Sequence, residues 1–397
     1  MNKRIAILGS TGSIGCSALE VIEHLGSPYR VAALSGHTQT EKLLEQARKY
    51  RPAAVALPNT SPTVTSELSQ LGIKIYHGPA GLIELVRRDD LDLVLAAIVG
   101  AAGLPAVLAA VEAGKTVALA NKESLVVAGS LLIPLAKKNN VQLLPVDSEH
   151  SAVFQAAQAG RLDEIKRVIL TASGGPFRRA SAKEIESATL QDDLNHPTWR
   201  MGSKITIDSA TMFNKALEII EACWLFGLPP EKVEVVIHPE SIVHSMVEFI
   251  DGTVIAQLSP PDMRTPIQYA LTYPQRQAGI SRTLDLSTPF SLNFEMPDPD
   301  RFRALRLGYD VARKGGTLGA VLNAANEAAV AAFTSGKIRF VEISKVVAAT
   351  IDAHQLQESP TLDDLLQADN WARDTVNSLI ENPGRKASGH AKESGKA

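Results

Sequence analysis

Two short segments of the chain carry side chains that could bind a metal ion and an anion. The first, residues 145–150, closes the apolar run at residues 141–146, which predicts the end of a strand. In extended backbone, residues two apart point the same way, so we expect Asp147 and Glu149 to share one site. Carboxylate oxygens suit a hard divalent cation such as Mg²⁺ or Mn²⁺ better than they suit zinc.

The second segment, residues 208–218, predicts a helix whose side chains could hold a phosphate. Asn214 lies four residues before Glu218 and Lys215 lies three before it, so a helix places all three on one face. The Lys ammonium and the Asn amide are donors suited to a phosphate, and Glu218 adds a third carboxylate. A metal site beside an anion site is what an enzyme of phosphosugars needs. The alternative is a strand end and a solvated helix face without a ligand.

A glycine-rich loop, residues 9–15, follows the first predicted strand and opens the first predicted helix. Its spacing is G-x-x-G-x-x-G rather than G-x-G-x-x-G. In this context glycines let the backbone approach a pyrophosphate, and the helix N-terminus offers N–H groups and a partial positive charge. The loop therefore predicts a dinucleotide site, and a glycine turn without a ligand is the alternative.

The end of the second predicted strand favours NADP over NAD. An NAD enzyme usually has an acid there to hold the ribose hydroxyls, and none appears before Glu41. No Arg or Lys stands at the strand end either. We expect the contacts to come from the following residues: Gly36, His37, Thr38, Gln39 and Lys42.

Length, composition and charge narrow the possible classes of protein. A chain of 397 residues is too long for one ordinary core, and its 45% hydrophobic content supports full folding. The net charge of -3 gives no reason to expect nucleic acid or an anionic membrane as partner. Two cysteines, Cys16 and Cys223, cannot form a disulfide framework. Residues 1–4 leave no room for a signal peptide, so we expect a cytoplasmic location.

Residues 93–111 contain no charged side chain and could be mistaken for a membrane span. Gly100, Gly103 and Pro105 interrupt this stretch, and charged residues bracket it closely. A buried strand at residues 93–98, a glycine turn and a crossover helix at residues 105–113 explain it better.

Strands and helices alternate over residues 1–147, which predicts an α/β fold with a Rossmann-like, doubly wound parallel sheet. The predicted strands are residues 5–8, 31–34, 53–57, 93–98, 116–120 and 141–146, and the first helices are residues 13–25 and 40–50.

The remaining chain predicts two further domains. Residues 148–272 read as an α+β catalytic domain and residues 301–382 as a C-terminal helical bundle, joined by a linker at residues 273–300. Residues 383–397 lack apolar periodicity and predict a disordered tail. Within the second domain we expect strands at residues 168–172, 233–237, 245–250 and 254–258 and helices at 151–159 and 210–226. In the bundle we expect helices at residues 300–314, 319–335, 340–353 and 362–381.

Taken in order, these segments closely resemble the 1-deoxy-D-xylulose 5-phosphate reductoisomerase family. Four further motifs add to the resemblance: Asn-Lys-Glu-Ser at residues 121–124, Ser-Gly-Gly-Pro-Phe at 173–177, residues 196–202, and Asn-Ala-Ala-Asn-Glu at 323–327. The resemblance implies that a ketose phosphate rearranges to a branched aldehyde phosphate, which NADPH then reduces to 2-C-methyl-D-erythritol 4-phosphate. It also implies a divalent ion, Mg²⁺ or Mn²⁺, and a homodimer.

The resemblance assigns roles to individual residues. Asp147, Glu149 and Glu218 would bind the metal, and either Lys122 or Glu149 would transfer protons. The substrate would contact Lys122, Ser148, Glu149, Ser173, His196, Trp199, Met201, Ser209, Asn214, Lys215 and Glu218. The cofactor would contact Thr11, Gly12, Ser13, Ile14, Gly36, His37, Thr38, Asn121, Glu123 and Gly202.

Residues 196–202 are similar to the mobile flap of the family. An aromatic ring and a thioether that close over a small polar substrate would exclude water. Without the resemblance, Trp199 and Met201 would be read as ordinary core residues. Arg200 departs from the family pattern, because smaller polar residues are common there.

Other candidate groups have mainly structural interpretations. We expect His238, Glu240 and His244 to be structural or interfacial rather than a second metal site. Met263 fits either the substrate pocket or the core, and both cysteines are expected to be inert.

Two other functions stay open from the sequence. A plain NADP-dependent dehydrogenase would need no metal. It lacks a candidate nucleophile, because neither cysteine stands where an enzyme that forms a thiohemiacetal would place it. A dinucleotide-sensing module would bind nucleotide and catalyse nothing.

Overall fold

The computed structural model describes residues 3–58, 62–186, 188–189 and 202–382, which form two compact units. Unit 1 consists of the described residues of Met1–Ser124, Leu132–Thr171 and Ser241–Leu292. Unit 2 consists of the described residues of Leu125–Leu131, Ala172–Glu240 and Asn293–Ala397.

Among these residues the strands, in chain order, are β1 (Lys3–Leu8), β2 (Tyr29–Ser35), β3 (Ala54–Leu57), β4 (Lys74–His77), β5 (Leu93–Ala96), β6 (Thr116–Leu119), β7 (Leu143–Pro145), β8 (Ile165–Ala172), β9 (Val233–Ile237), β10 (Val243–Phe249) and β11 (Val254–Leu258). The helices are α1 (Ser13–Leu25), α2 (Thr40–Tyr50), α3 (Pro62–Gln70), α4 (Gly78–Val86), α5 (Leu104–Glu112), α6 (Glu123–Lys138), α7 (Ser148–Ala156), α8 (Ala182–Glu186), α9 (Ser203–Thr211), α10 (Phe213–Phe226), α11 (Arg264–Thr272), α12 (Arg303–Lys314), α13 (Leu318–Thr334), α14 (Phe340–Ala353) and α15 (Leu362–Glu381).

A seven-stranded parallel sheet is the centre of unit 1. Its strand order is β4-β3-β2-β1-β5-β6-β7. Strands β1 to β4 are added toward one edge and β5 to β7 toward the other, so the order of the strands reverses between the parallel neighbours β1 and β5. Open sheets of this kind bind ligands outside the carboxyl ends of the strands at such a reversal. The loop at residues 9–15 follows β1 at this point. The predicted α/β fold with a parallel sheet is confirmed.

The central strands are apolar on both faces because helices cover the sheet on both sides. Ile5 and Ile7 of β1 and Leu93 and Leu95 of β5 are fully buried. Strand β4 has no counterpart among the predicted strands, because its four residues mix charged and apolar types (Lys-Ile-Tyr-His) and give no apolar run. Strand β5 is two residues shorter than predicted.

The uncharged stretch at residues 93–111 divides into β5, a short 3₁₀ turn and α5, as predicted. Gly100 adopts a left-handed φ of 77° where the chain leaves the sheet. In the described part of the chain, the helices are too short or too polar to cross a membrane.

A second, antiparallel sheet lies in unit 1. Strand β10 pairs with β8 on one side and with β11 on the other. Met246 of β10 is opposite Ile169 of β8 and Ala256 of β11. Residues 243–249 of β10 are largely buried, whereas β11 is half exposed along its length.

Unit 2 contains most of the C-terminal helices. Helices α12 to α15 pack their apolar faces together, as the alanine-rich periodicity predicted, with Val321 and Ala325 of α13 and Ile343 of α14 fully buried. The predicted helical C-terminal region is confirmed. The three-domain division at residues 147, 272 and 300 stays a prediction, and the predicted tail at 383–397 lies outside the described residues.

The predicted helix at residues 210–226 is wrong in one respect, because the structure has two helices there. Met212 adopts the left-handed conformation (φ 65°, ψ 12°) and ends α9, and α10 starts at the next residue. A left-handed methionine is uncommon, and no glycine marks the break. The break creates a new helix N-terminus immediately before Asn214 and Lys215.

Helices α10 and α12 approach closely at Gly308. A Cβ atom on Gly308 would lie 2.7 Å from Cα of Ala216. We expect Gly308→Ala to destabilise the protein by about 1–3 kcal/mol, because neither backbone can move without disturbing a packed core. Thermal unfolding followed by circular dichroism measures this change. The control, Arg306→Ala, alters an exposed residue on the same helix and should leave the melting temperature nearly unchanged. An unaltered melting temperature for Gly308→Ala would contradict the close approach.

Candidate functional site

The glycine-rich loop of unit 1 is built as a dinucleotide loop requires. Helix α1 begins at Ser13 with Gly12 as N-cap, and no side chain caps its first N–H groups. Those groups are therefore available for an anion. A Cβ atom on Gly15 would lie 2.4 Å from the Gly9 carbonyl oxygen, so only glycine fits there. Gly12 and Ser13 are exposed, whereas Thr11 is buried.

The end of β2 lies beside this loop. The Ser35 hydroxyl oxygen accepts a hydrogen bond from the Gly9 N–H at 2.9 Å. His37 and Thr38 follow and are exposed. Lys42, on the first turn of α2, donates to the Thr11 carbonyl oxygen at 2.9 Å. The end of β2 carries no positive charge, and the Lys42 ammonium in the first turn of α2 supplies one beside the loop.

Asn121 and Glu123 hold the loop that follows β5. The Asn121 amide donates to the carbonyl oxygens of Ile98 at 2.5 Å and Gly100 at 2.8 Å. The Glu123 carboxylate accepts from the Gly100 N–H at 3.2 Å. Both side chains are buried. They fix the backbone at the carboxyl ends of β5 and β6, the edge at which this kind of sheet binds its cofactor.

Asp147 and Glu149 do share one place, but for a different reason from the one predicted. The strand ends at Pro145, so the extended backbone expected through residue 149 is wrong. Asp147 is instead the N-cap of α7, and its side chain accepts from the Glu149 N–H at 3.3 Å. Aspartate is among the best N-cap residues, so a helix start competes with the strand end at this position. The predicted helix at residues 151–159 accordingly begins three residues earlier.

The Asp147 carboxylate is held in its charged form. Burial alone would raise its pKa, but the Lys122 ammonium, with which it forms an ion pair, and the His150 ring at 3.5 Å outweigh burial. Together they hold the pKa of Asp147 well below its usual range. His150, which is fully buried, was not among the predicted site residues. Its position one helical turn after Asp147 was the available signal.

Glu149 lies in the first turn of α7 and accepts a hydrogen bond from the Ser148 hydroxyl at 2.6 Å. Both side chains are partly accessible. Unit 1 therefore places two carboxylates, one hydroxyl and one ammonium just after the carboxyl ends of the neighbouring strands β6 and β7. Such a group of oxygen ligands can hold a hard cation.

In unit 2, the predicted one-face arrangement of Asn214, Lys215 and Glu218 is confirmed. The Asn214 amide donates to Glu218 Oε1, and the Lys215 ammonium forms an ion pair with Oε2 of the same carboxylate. Lys215 and Glu218 are almost fully buried. Asn214 and Lys215 occupy the first turn of α10, where the backbone N–H groups and the helix dipole also favour an anion.

Ser173 and Ser209 belong to the same part of unit 2. The Ser173 hydroxyl oxygen accepts from the Gly175 N–H at 3.2 Å. A Cβ atom on Gly175, which has a left-handed φ of 64°, would lie 2.8 Å from the Ser209 carbonyl oxygen. Only a glycine allows the loop after β8 to lie against α9 in this way. Two of the predicted phosphate ligands are thus on neighbouring backbone segments.

Three predicted substrate residues, His196, Trp199 and Met201, lie outside the described residues, as does Arg200. Gly202 is described, is exposed and is the N-cap of α9.

The groups expected to be structural behave as such. The His238 ring bonds the Asn293 carbonyl oxygen at 2.8 Å and stacks on Phe294, and Glu240 accepts from the Asn293 amide. In unit 1, the His244 ring bonds the Ser259 carbonyl oxygen at 3.0 Å.

Met263 packs against the core of unit 1. Burial raises the pKa of the Cys223 thiol to about 12, which keeps it protonated and unreactive.

Three family models match successive parts of the chain. A model described as 1-deoxy-D-xylulose 5-phosphate reductoisomerase matches residues 5–129, and a model of the C-terminal domain of that enzyme matches residues 143–226. A third model, described as DXP reductoisomerase C-terminal domain, matches residues 258–375.

Two curated relatives named 1-deoxy-D-xylulose 5-phosphate reductoisomerase are 51% identical to this chain. They come from Pelodictyon phaeoclathratiforme and Chlorobaculum tepidum, and each alignment covers 95% of this chain and 100% of the relative.

Two solved structures of this enzyme have the same fold. One is DOX-P reductoisomerase in complex with NADPH, fosmidomycin and magnesium, with a TM-score of 0.91, 42% identity and coverage of 96% of this chain and 98% of its own. The other is 1-deoxy-D-xylulose 5-phosphate reductoisomerase from Zymomonas mobilis in complex with NADPH, with a TM-score of 0.90, 42% identity and coverage of 96% and 100%.

The ion pair with Lys122 makes a prediction about Asp147. Lys122→Met removes the nearest cation but keeps an apolar stem of similar length, so we expect the pKa of the Asp147 carboxyl to rise. Carbon-13 NMR of the metal-free protein, titrated between acid and neutral pH, measures this pKa. The control is Lys115→Met, which removes a lysine that donates to the Leu91 carbonyl oxygen instead. An equal pKa of Asp147 in the Lys122 variant and the wild type would contradict the assigned cause.

Proposed function

The chain belongs to the 1-deoxy-D-xylulose 5-phosphate reductoisomerase family, and we propose that it uses NADPH and a divalent metal to convert 1-deoxy-D-xylulose 5-phosphate to 2-C-methyl-D-erythritol 4-phosphate. This rearrangement and reduction belongs to non-mevalonate isoprenoid precursor synthesis. The observation that carries the proposal is the nearly buried Asp147 carboxylate, paired with Lys122 and next to Glu149, because a metal-assisted rearrangement needs carboxylate oxygen ligands at the carboxyl edge of a dinucleotide-binding sheet.

The residues present fit a divalent cation. The low pKa of Asp147 favours its charged form. In each unit an ammonium already lies against a carboxylate, Lys122 on Asp147 and Lys215 on Glu218. Each ammonium shows that the carboxylate beside it accepts a positively charged partner, as a metal ion would be. We assign the ion to Asp147, Glu149 and Glu218. Mg²⁺ or Mn²⁺ bound there would polarise the substrate carbonyl and stabilise the oxyanion that develops as the carbon–carbon bond moves.

The phosphate of the substrate is assigned to unit 2. Lys215 supplies charge, and the Asn214 amide and the N–H groups that open α10 supply direction. The hydroxyls of Ser173 and Ser209 complete the set. The close approach of Gly175 to the Ser209 backbone supports a shared role for the two serines.

The substrate hydroxyls are assigned to Lys122, Ser148 and Glu149. Ser148 donates to the Glu149 carboxylate, which orients that carboxylate. Lys122 is a donor that is paired with Asp147. Either Lys122 or Glu149 transfers the proton in this proposal, and Glu218 also contacts the substrate.

NADPH supplies the hydride for the reduction. We assign its pyrophosphate to Thr11, Gly12, Ser13 and Ile14, and its 2′-phosphate to Gly36, His37 and Thr38 with Lys42 nearby. Asn121, Glu123 and Gly202 would line the nicotinamide side. The closing flap with His196, Trp199 and Met201 rests on the sequence resemblance, and its part in the proposal is to exclude water from the aldehyde intermediate.

A homodimer is part of the proposal, and strand β11 is its candidate interface. Only β10 pairs with β11 among the described residues, so the other edge of β11 offers open N–H and C=O groups. Val254, Leu258 and the neighbouring Ile250 are exposed apolar residues. A second copy that pairs with this edge would cover them. The cytoplasmic location is proposed because Cys16 and Cys223 are both free thiols.

The proposed chemistry requires both the metal and Glu149. We expect purified protein to oxidise NADPH when 1-deoxy-D-xylulose 5-phosphate and Mg²⁺ or Mn²⁺ are present, and to stop when a chelator is added. Glu149→Gln keeps the size of the side chain but removes its charge, so turnover should fall at least about 100-fold. Absorbance at the NADPH band measures the rate. The control is Glu112→Gln, an exposed residue of α5, which should retain full activity.

Three outcomes separate the candidate functions. Oxidation that persists with chelator and in the Glu149 variant would indicate a plain dehydrogenase. NADPH binding without turnover under any metal would indicate a dinucleotide-sensing module. Only loss of turnover in both arms agrees with the reductoisomerase assignment.

The dimer is tested by a charge on the candidate edge strand. Sedimentation velocity should give wild-type protein a mass of twice 42.5 kDa. Val254→Lys should shift it toward the monomer, because a lysine on each copy would face the apolar edge of the other. Leu366→Lys, which alters an exposed apolar residue on α15, should leave the mass unchanged. A monomeric wild type, or equal behaviour of the two variants, would contradict this interface.

A further inference from the structure

A buried hydrogen bond joins helix α13 to helix α9 within unit 2. Asp208 of α9 is 1% exposed, and its Oδ1 accepts from the Asn326 amide of α13 at 2.8 Å. Its other oxygen forms an ion pair with the Lys204 ammonium, one helical turn earlier on α9, at 2.5 Å. The carboxylate is thus held by a cation of its own helix and by an amide from a distant part of the sequence.

Asn326 places a polar side chain in the core with one hydrogen-bonding atom that no described residue satisfies. It is fully buried, and its Oδ1 has no hydrogen-bond partner among the described residues. An apolar side chain of similar volume would avoid that unsatisfied acceptor. Turning the amide over would point its oxygen at the carboxylate, so the donated bond to Asp208 explains the orientation. The bond between the two helices is therefore the reason for an amide at this position.

The position of Asp208 connects this bond to the phosphate site. Asp208 immediately precedes Ser209, whose carbonyl oxygen is in contact with Gly175. Helix α9 ends three residues beyond Asp208, at Thr211, and the left-handed Met212 is the one residue between it and α10. A shift of α9 would therefore move the Ser209 hydroxyl and the first turn of α10 together.

We propose that Asn326 is a positioning residue for the phosphate site, acting through Asp208 to fix helix α9. The inference rests on the proposed function, since it concerns the phosphate of the same substrate. It gives the motif at residues 323–327 a role in substrate binding, although none of its residues is assigned to the substrate.

Asn323 provides a matched control on the same helix. It lies one turn before Asn326, is also fully buried, and also has an Oδ1 without a partner among the described residues. Its amide, however, donates within α13 to Glu327 at 3.0 Å. The two residues differ chiefly in whether the donated bond leaves the helix.

The test compares Asn326→Ala and Asn326→Leu with Asn323→Ala. Leucine fills the volume of asparagine without a donor, so it separates the bond from the cavity if the alanine variant does not fold. We expect both Asn326 variants to raise KM for the phosphosugar about tenfold, the effect of one lost hydrogen bond to a charged group. KM for NADPH should stay unchanged, and Asn323→Ala should leave both constants within about twofold.

Hydrogen–deuterium exchange of residues 203–211 supplies a readout that does not depend on turnover. Exchange in α9 should be faster in both Asn326 variants and unaltered in Asn323→Ala. Unaltered α9 exchange in Asn326→Leu, an unaltered phosphosugar KM in an active Asn326 variant, or an equal KM change in Asn323→Ala would overturn the inference. A wild type without turnover would instead defeat the proposed function, and the exchange data would still decide whether Asn326 fixes α9.

Discussion

Burial of carboxylates is the constraint on which this structure depends. Asp147, Asp208 and Glu218 are all almost inaccessible, and each has a lysine against it within its own unit. A buried charge without compensation costs several kcal/mol, and the neighbouring ammonium supplies that compensation in each case. Removal of one partner would leave the other as an unpaired buried charge. Each ammonium is therefore needed wherever the fold removes a carboxylate from solvent.

The local structure follows from how each cation reaches its carboxylate. Lys204 and Lys215 do so from one helical turn away, which requires α9 and α10 to be regular helices. Lys122 does so because β6 and β7 are neighbours in a parallel sheet and end at the same edge. The left-handed Met212 lets α9 and α10 keep their own axes, so both helical pairs exist next to each other in the chain.

Much of the fold could be predicted because local signals agreed with it. Helix α1 ends at the predicted residue, where Gly26 takes a left-handed φ of 58°. Helix α15 begins at the predicted residue, where the Thr361 side chain accepts from the Asp364 N–H. The sequence could not show that Asp147 is an N-cap, because aspartate fits a strand end and a helix start equally well. Nor could it show the bond between Asn326 and Asp208, since no periodic pattern encodes a contact 118 residues apart.

Candidate binding residues lie at three helix N-termini, those of α1, α7 and α10. The positive end of a helix dipole favours a bound anion and opposes a bound cation. The positive ends of α1 and α10 favour the anionic pyrophosphate and phosphate assigned to them. The positive end of α7 opposes a cation near Asp147 and Glu149. A helix end amounts to only about half an elementary charge. Asp147 and Glu149 supply two negative charges when ionised, against one positive charge from Lys122, so the balance of charge there remains negative. The same dipole stabilises the ionised carboxylates. The first turn of α7 thus weakens attraction for a cation slightly and, in return, favours the charged form of carboxylates placed there.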